Sequence, residues 1–352
     1  MAAVAVRNVK DHGRVTLREV AQAAGVHPGT ASRALNEQTR SLVNADTARR
    51  VLEVAESLGY QPNPIARGLK TRRSYTIGVL IPDILNPLFP PIIRGIEDRL
   101  GEAGYTSVIA NTENDPERER IDFRAMLARQ VDGFITATAR VDHALLDEIV
   151  ALGVPIVLVN RRVEDGALHS ATADDRAGIE LAVDHLVELG HRQIAFIGGP
   201  KDVSTSLHRY EGFKAIMRRR RLKADRKLTL VGEEISLREG QRLCRQLLDS
   251  GKPFTAIVAA NDLMALGCYD VLAERDLVCP DDISVVGYND MPFSDHFNPP
   301  LTTIRIPHYR MGVAAAGLLL AEFDDRSGEN GRSDVVLEPS LVVRGSTAPP
   351  RA

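Results

Sequence analysis

The sequence predicts two unlike parts: a small all-α head of helix-turn-helix type, and a longer body of two doubly wound α/β subdomains built on parallel sheets. Three observations carry this expectation. Apolar residues near the N-terminus recur at helical spacing on either side of a glycine turn. From Tyr75 onward, apolar strand-like runs alternate with helical runs, the pattern of parallel sheets covered on both faces. The charge is also divided. The chain of 352 residues carries a net −3, but residues 1–73 hold 12 Lys/Arg against 6 Asp/Glu and the remainder is correspondingly acidic. A basic end on an acidic body points to an anionic partner for that end.

The head is carried by the segment TLREVAQAAGVHPGTASRAL. Thr16 and Glu19 form a T-x-x-E capping box that satisfies the free N–H groups of a helix start. Leu17, Val20, Ala21 and Ala24 then line one face. Gly25 supplies a left-handed turn and Val26 an apolar plug. Pro28 suits the first position of a second helix, whose Ala31, Ala34 and Leu35 face back to the core. Two short helices joined in this way are a helix-turn-helix unit. A third helix over about 45–58 turns Val51, Ala55 and Leu58 inward and ends at Gly59. The outer face of the second helix carries Gly29, Thr30, Ser32 and Arg33. Hydroxyls suit phosphate oxygens, and a guanidinium suits a guanine edge in the major groove.

The connector PNPIARGLKTRR places Ile65, Ala66 and Leu69 at near-helical spacing among Arg67, Lys70, Arg72 and Arg73, unlike a Gly/Ser spacer. In the body, YTIGVLI, YTSVIAN, VDGFITATA, VPIVLVN, QIAFIGG, AIVAAND and DISVVGYND read as strands, and FPPIIRGIEDRLGEAG as a helix. Ligands of open α/β sheets lie beyond the carboxyl ends of strands. Asp83, Asn160, Arg161, Asn261, Asn289 and Asp290 stand at such ends and are candidates for a shared cleft, although a polar residue there can also be a plain helix cap.

Several chemistries lack their motifs. No GxGxxG follows a strand and there is no GxxxxGK[ST], G-x-S-x-G or H-E-x-x-H, so no cofactor or metal is expected. Cys244, Cys268 and Cys279 form no CxxC pair and read as plain thiols in a reducing compartment. The scattered histidines (143, 169, 185, 191, 208, 296 and 308) read as surface or loop residues. No run of about 18 apolar residues implies a membrane span, and the start lacks the apolar core of a signal peptide, so a cytoplasmic protein is expected.

Taken together, LREVAQAAGV…TASRALN, GYQPNPIARGLK, IGVLIPDILNPLF, AANDLMALG, DISVVGYND and PPLTTIRIP resemble the LacI/GalR family of bacterial transcription regulators, over about Val15 to Gly345. The resemblance implies a repressor that binds a pseudo-palindromic operator as a homodimer and is controlled by a small effector between the subdomains. It assigns Thr30, Ser32 and Asn36 to phosphate contacts and makes the connector a hinge helix. In that hinge Ala66 packs, Leu69 wedges into the minor groove and Lys70 contacts it. His27 stands where the family usually has Ser, which implies a weaker cap. Phe89 matches a position that stacks on the effector, and Arg209 one that binds it. Asn289 stands where many relatives carry Asp. With Arg161, Arg162, Arg209 and His208 this implies a cationic cleft and an acidic effector such as a sugar acid; solvation of Arg161 or Arg162, or pairing with Glu164 or Asp165, is the alternative.

The expected divisions are an extension without fixed structure (1–14), the head (15–60), the hinge (61–73), the effector domain (74–345) and a tail (346–352). One subdomain takes about 74–173 with 304–322, the other about 174–303 with 323–345. The helix near 92–103 and the segment DLMALGCYDVL are expected dimer faces. Two other readings remain open on the sequence: a solute-binding protein with an unrelated head, and an α/β enzyme fused to a DNA-binding domain.

Overall fold

The computed structural model describes residues 15–36, 39–60, 73–164, 168–324 and 331–351. The chain divides into two units, Met1–Ser74 and Tyr75–Ala352. The expectations for residues 1–14, and for Ala66, Leu69 and Lys70 in the hinge, lie outside the described residues.

The first unit holds helices α1 (Leu17–Ala23), α2 (Pro28–Leu35) and α3 (Ala45–Ser57). Thr16 and Glu19 make the predicted box, with the Thr16 amide 2.7 Å from a Glu19 carboxylate oxygen. Gly25 has φ +63. Its amide bonds the Gln22 carbonyl, and the Val26 amide bonds that of Ala21 at 2.9 Å. Both are the bonds of a Schellman turn. His27 is a better cap than its residue type implies: its Nδ1 accepts from the Gly29 amide at 3.1 Å. The core is small-residue packing of Val20, Ala21, Ala24, Ala31, Ala34, Ala48, Val51 and Ala55. Leu58, expected inside, caps α3 and is exposed; Tyr60 packs on the core instead.

The second unit contains two six-stranded sheets. The first comprises β1 (Thr76–Ile81), β2 (Thr106–Asn111), β3 (Gly133–Thr136), β4 (Ile156–Val159), β5 (His169–Ala173) and β11 (Asp334–Leu337), in the order β11-β5-β4-β3-β1-β2. The second comprises β6 (Ile194–Gly198), β7 (Thr229–Val231), β8 (Ala256–Ala259), β9 (Ser284–Asn289), β10 (Thr302–Arg305) and β12 (Ser340–Val342), in the order β12-β10-β9-β8-β6-β7. Every pairing is parallel except that of β10 with β12. Most of the central strands are buried along their length, as strands covered on both faces must be.

Helices α4 (Phe89–Glu102), α5 (Pro116–Ala128), α6 (Ala144–Ala151) and α11 (His308–Asp324) accompany the first sheet, and α7 (Asp175–Glu188), α8 (Ser204–Arg219), α9 (Leu237–Asp249) and α10 (Asp262–Glu274) the second. Helices α4 and α11 cross at facing glycines. A Cβ on Gly95 would lie 2.2 Å from the Tyr309 carbonyl oxygen, and one on Gly312 2.0 Å from that of Ile92. Helices α9 and α10 repeat the device with Gly240 and Gly267. Helix α10 buries Met264, Ala265, Cys268, Val271 and Leu272 in its own lobe. Cys244 and Cys268 are buried free thiols.

The chain passes between the lobes three times: after β5, after β10 and between β11 and β12. This corrects the expected boundaries. The assignment of 323–345 to the second subdomain fails for Asp334–Leu337, which pairs in register with Ser170–Ala173 of the first, and holds for Ser340–Val342. Residues 304–305 belong to the second sheet. The tail is built in: the Ser346 hydroxyl donates to the Val285 carbonyl at 2.6 Å, and the Ala348 carbonyl accepts from His191 Nε2 at 2.9 Å. His191, His208 and His308 are likewise buried rather than superficial. No helix among the described residues is long and apolar enough to cross a membrane.

Candidate functional site

The head and the body each present one site. On the head, Gly29 and Arg33 are exposed on α2, with Thr30, Ser32 and Asn36 half-buried beside them. Other cations of the head have structural partners, which charge counting could not reveal. Arg50 Nε donates to the Ala24 carbonyl at the end of α1 (3.1 Å), and Arg40 Nε to the Ala34 carbonyl near the end of α2 (3.0 Å). Both satisfy carbonyls left over at a helix C-terminus. Arg49 pairs with Asp46. These three guanidinium groups thus have structural bonds, while Arg33 stands exposed on α2.

In the body, the carboxyl ends of both sheets face a cavity of about 270 Å³. The first lobe contributes Asp83, Phe89, Asn114, Arg140, Asn160 and Arg161; the second contributes Asp202, Thr205, Arg209, Asn261 and Asn289. Seven of the eight expected effector residues therefore meet in one place. Asn160 just after β4 and Asn289 at the end of β9 have φ +64 and +110, backbone strain of a kind that gathers at functional sites.

Arg209 is the best-anchored group. Its Nε donates to Asp175 (2.7 Å), one terminal nitrogen to the Ala260 carbonyl (2.6 Å) and the other to the Asn289 side-chain oxygen (3.4 Å). Its guanidinium lies 3.7 Å from the centre of the Tyr288 ring. These contacts hold the side chain in one orientation before any ligand arrives. Asn261 both lines the cavity and caps α10, accepting from the Met264 amide at 3.0 Å. The Asp83 carboxylate accepts from the Leu85 amide at 2.9 Å and so also shapes a turn.

Arg161 is buried, and its side-chain partner is the Asn114 oxygen, at 3.3 and 3.4 Å. Burial and the neighbouring Arg140 push its guanidinium down to about 10. Arg140 pairs with Asp202 across the cleft. Glu164 does not pair with Arg161; it bonds His208 instead, and Asp165 lies outside the described residues.

Two expectations need correction. Asp290 turns away from the cavity: its carboxylate accepts from Arg344 and Arg305 at 2.6 Å each and from Ser294 at 3.0 Å. The lining is not simply cationic either. Arg162 and His208 are not among its residues, while Glu113, Asp202, Glu233 and Glu234 are; Glu233 and Glu234 are exposed, whereas Arg161 and Arg209 are buried. Sequence reasoning missed Asp175, Asn114, Arg140 and Thr205. Asp175 had a visible signal, an acidic residue at a helix start, but its partner is 34 residues away. A larger hollow of about 780 Å³, lined by Val150, His169, Leu318 and Glu322, lies elsewhere on the first lobe. It gathers no row of strand ends and adjoins residues outside the described ones, so it is not the better candidate. Among the described residues, no three His, Cys, Asp or Glu side chains are placed to hold a metal ion.

Known proteins are similar to both parts of the chain. The profile of the lacI family of bacterial regulatory proteins matches residues 16–63, and that of the periplasmic binding protein-like domain matches residues 183–347. The chain is 35% identical to the HTH-type transcriptional regulator RegA of Clostridium saccharobutylicum, over 94% of this chain and 99% of that one. It is similar to the solved lac repressor dimer bound to operator and the anti-inducer ONPF, with a TM-score of 0.84 and 30% identity over 96% of this chain and all of that one. A LacI family transcriptional regulator from Enterococcus faecium with bound ribose superimposes with a TM-score of 0.68 and 32% identity, covering 78% of this chain and all of that one. A capped helix-turn-helix head, a two-lobed body and relatives matched end to end have one reading: the chain belongs to the lacI family of bacterial regulatory proteins, and it is a sequence-specific DNA-binding transcriptional regulator, not an enzyme.

Proposed function

We propose that the protein is a cytoplasmic repressor that binds a pseudo-palindromic operator as a homodimer and is controlled by a small hydroxylated metabolite, a sugar or sugar acid, held between the two lobes. The observation that carries this reading is the cavity at the carboxyl ends of both sheets, floored by the pre-oriented Arg209 and lined by Asn160, Asn261 and Asn289. Fixed amides and a guanidinium match a ligand rich in hydroxyls, and about 270 Å³ suits a small one. The ribose in the Enterococcus faecium relative supports the same class. An acidic group on the ligand is favoured by one observation: Arg161 has no ion-paired carboxylate among the described residues.

On the head, Arg33 carries most of the base readout, Gly29 lies against the DNA without a side chain to read it, and Thr30, Ser32 and Asn36 hold phosphates. Ala66, Leu69 and Lys70 serve the minor groove as the hinge. The effector acts by linkage: it binds one arrangement of the lobes better than the other, and DNA changes its affinity by the same factor. Calorimetry with ribose, other neutral sugars and sugar acids, joined to footprinting of the gene's own upstream region with and without each compound, tests this. A compound that binds the cavity and shifts the footprint supports it; a footprint indifferent to every compound bound there contradicts it.

A further inference from the structure

We infer that Glu164 and His208 form a bolt that keeps the effector cleft closed, an inference that rests on reading the cavity as the effector site. The first lobe reaches the second through the loops after β3 and β4. The Val141 amide donates to the Asp202 carbonyl at 2.7 Å, and Arg140 pairs with the Asp202 carboxylate. The Arg162 amide donates to the Ser204 hydroxyl at 2.9 Å. His208 Nε2 then meets a Glu164 oxygen at 2.6 Å, with side-chain exposures of 8% and 37%. At that distance the ring nitrogen and the carboxylate share a hydrogen bond. A terminal nitrogen of Arg162 lies 3.4 Å from the same His208 nitrogen and is its second partner.

Position in the helix gives this contact its purpose. Ser204 and His208 are four residues apart on α8 and share a face, which is turned to the first lobe. The next residue, Arg209, belongs to the cavity. One turn of helix therefore carries the bolt on one side and the ligand anchor on the other. A ligand held by Arg209 therefore sits one residue from the bolt. Glu164 and His208 are positioning residues: they act on the ligand through the closure of the lobes.

Hydrogen exchange of the full-length protein, with no small molecule added, tests the bolt directly, because the Val141 and Arg162 amides are themselves donors across the cleft. Glu164→Ala and His208→Ala should each raise exchange of residues 140–142 and 162–164 by about fivefold, the weight of a partly exposed charged hydrogen bond. Strands β1 and β6 should stay unchanged. His208→Gln, whose amide can donate to the same carboxylate, should retain most of the protection. Unchanged exchange in Glu164→Ala overturns the inference, as does equal loss in the Gln and Ala variants of His208. If His208→Ala also loosens β6, Glu164→Ala decides alone. Failure of every compound to bind the cavity would leave these rates unaltered, so the bolt and the effector reading fail separately.

Discussion

Removing the carboxylate of Asp175 strands a buried cation, and the cost can be worked from its surroundings. Asp175 and Arg209 are only 6% and 5% exposed and meet at 2.7 Å. Breaking such a pair by deleting one partner costs about 3–5 kcal/mol, because the other charge stays buried. Asp175 also opens α7, where a negative charge contributes roughly 0.3–1 kcal/mol against the helix dipole. Two effects moderate the loss. Burial already disfavours the carboxylate, pushing Asp175 upward, and Arg209 keeps the Ala260 carbonyl, the Asn289 oxygen and the Tyr288 face. The net expectation for Asp175→Ala is a loss of about 3 kcal/mol. For a body of this size that lowers the melting temperature by about 6–12 °C. Thermal and urea unfolding followed by circular dichroism measure it, and Asp175→Asn, which keeps an acceptor, should lose less than half as much. A loss below about 1 kcal/mol in Asp175→Ala would refute the reasoning, since Arg209 would then not depend on this partner for its charge.

Gly312→Ala forces a Cβ to within 2.0 Å of the Ile92 carbonyl oxygen, so it should destabilise the first lobe by about 3 kcal/mol or more; wild-type urea stability would show that α4 and α11 can move apart. Thr16→Ala removes half of the capping box and should speed amide exchange in α1 in line with about 1 kcal/mol of lost stability, with the body unaffected. Arg33→Ala should weaken operator binding by about 1–3 kcal/mol and relax one base position in a binding assay over operator variants; retained specificity would remove Arg33 from base readout. Two buried groups oppose each other in acid. Burial pushes Asp262 up to about 7 and His308 down to about 4. Between about pH 4.5 and 6.5, folded Asp262 holds a proton that the unfolded chain lacks, so its contribution falls as pH rises; folded His308 lacks one that the unfolded chain holds, so its contribution rises. His308→Gln should therefore lower the slope of stability against pH by up to about 1.4 kcal/mol per unit, and an unaltered slope in urea titrations across that window would contradict it.

What could be read from the sequence was local. Thr16, Glu19 and Gly25 announce their turns because each acts within one helix turn of itself, and YTIGVLI is a strand wherever it packs. What could not be read was long-range. DVVL, residues 334–337, is too short to carry a period, and only its pairing with β5 places it in the first sheet. Asp290 follows a strand just as Asn160 does, yet Arg305 and Arg344 draw it away from the cavity, and neither is near it in sequence. Arg40 and Arg50 also cap helix carbonyls, a role that no count of basic residues reveals.

The late position of β11 has a consequence for how the protein is made. Synthesis runs from the N-terminus, and domains fold as they emerge. The head is complete by about residue 60, but the first sheet lacks its edge strand until residue 337 has been added. A ribosome that stalls or terminates after residue 300 thus releases a finished DNA-binding head on an unfinished sensor. Such fragments would retain the means to touch DNA without the means to answer a metabolite, so the cell has reason to degrade them quickly.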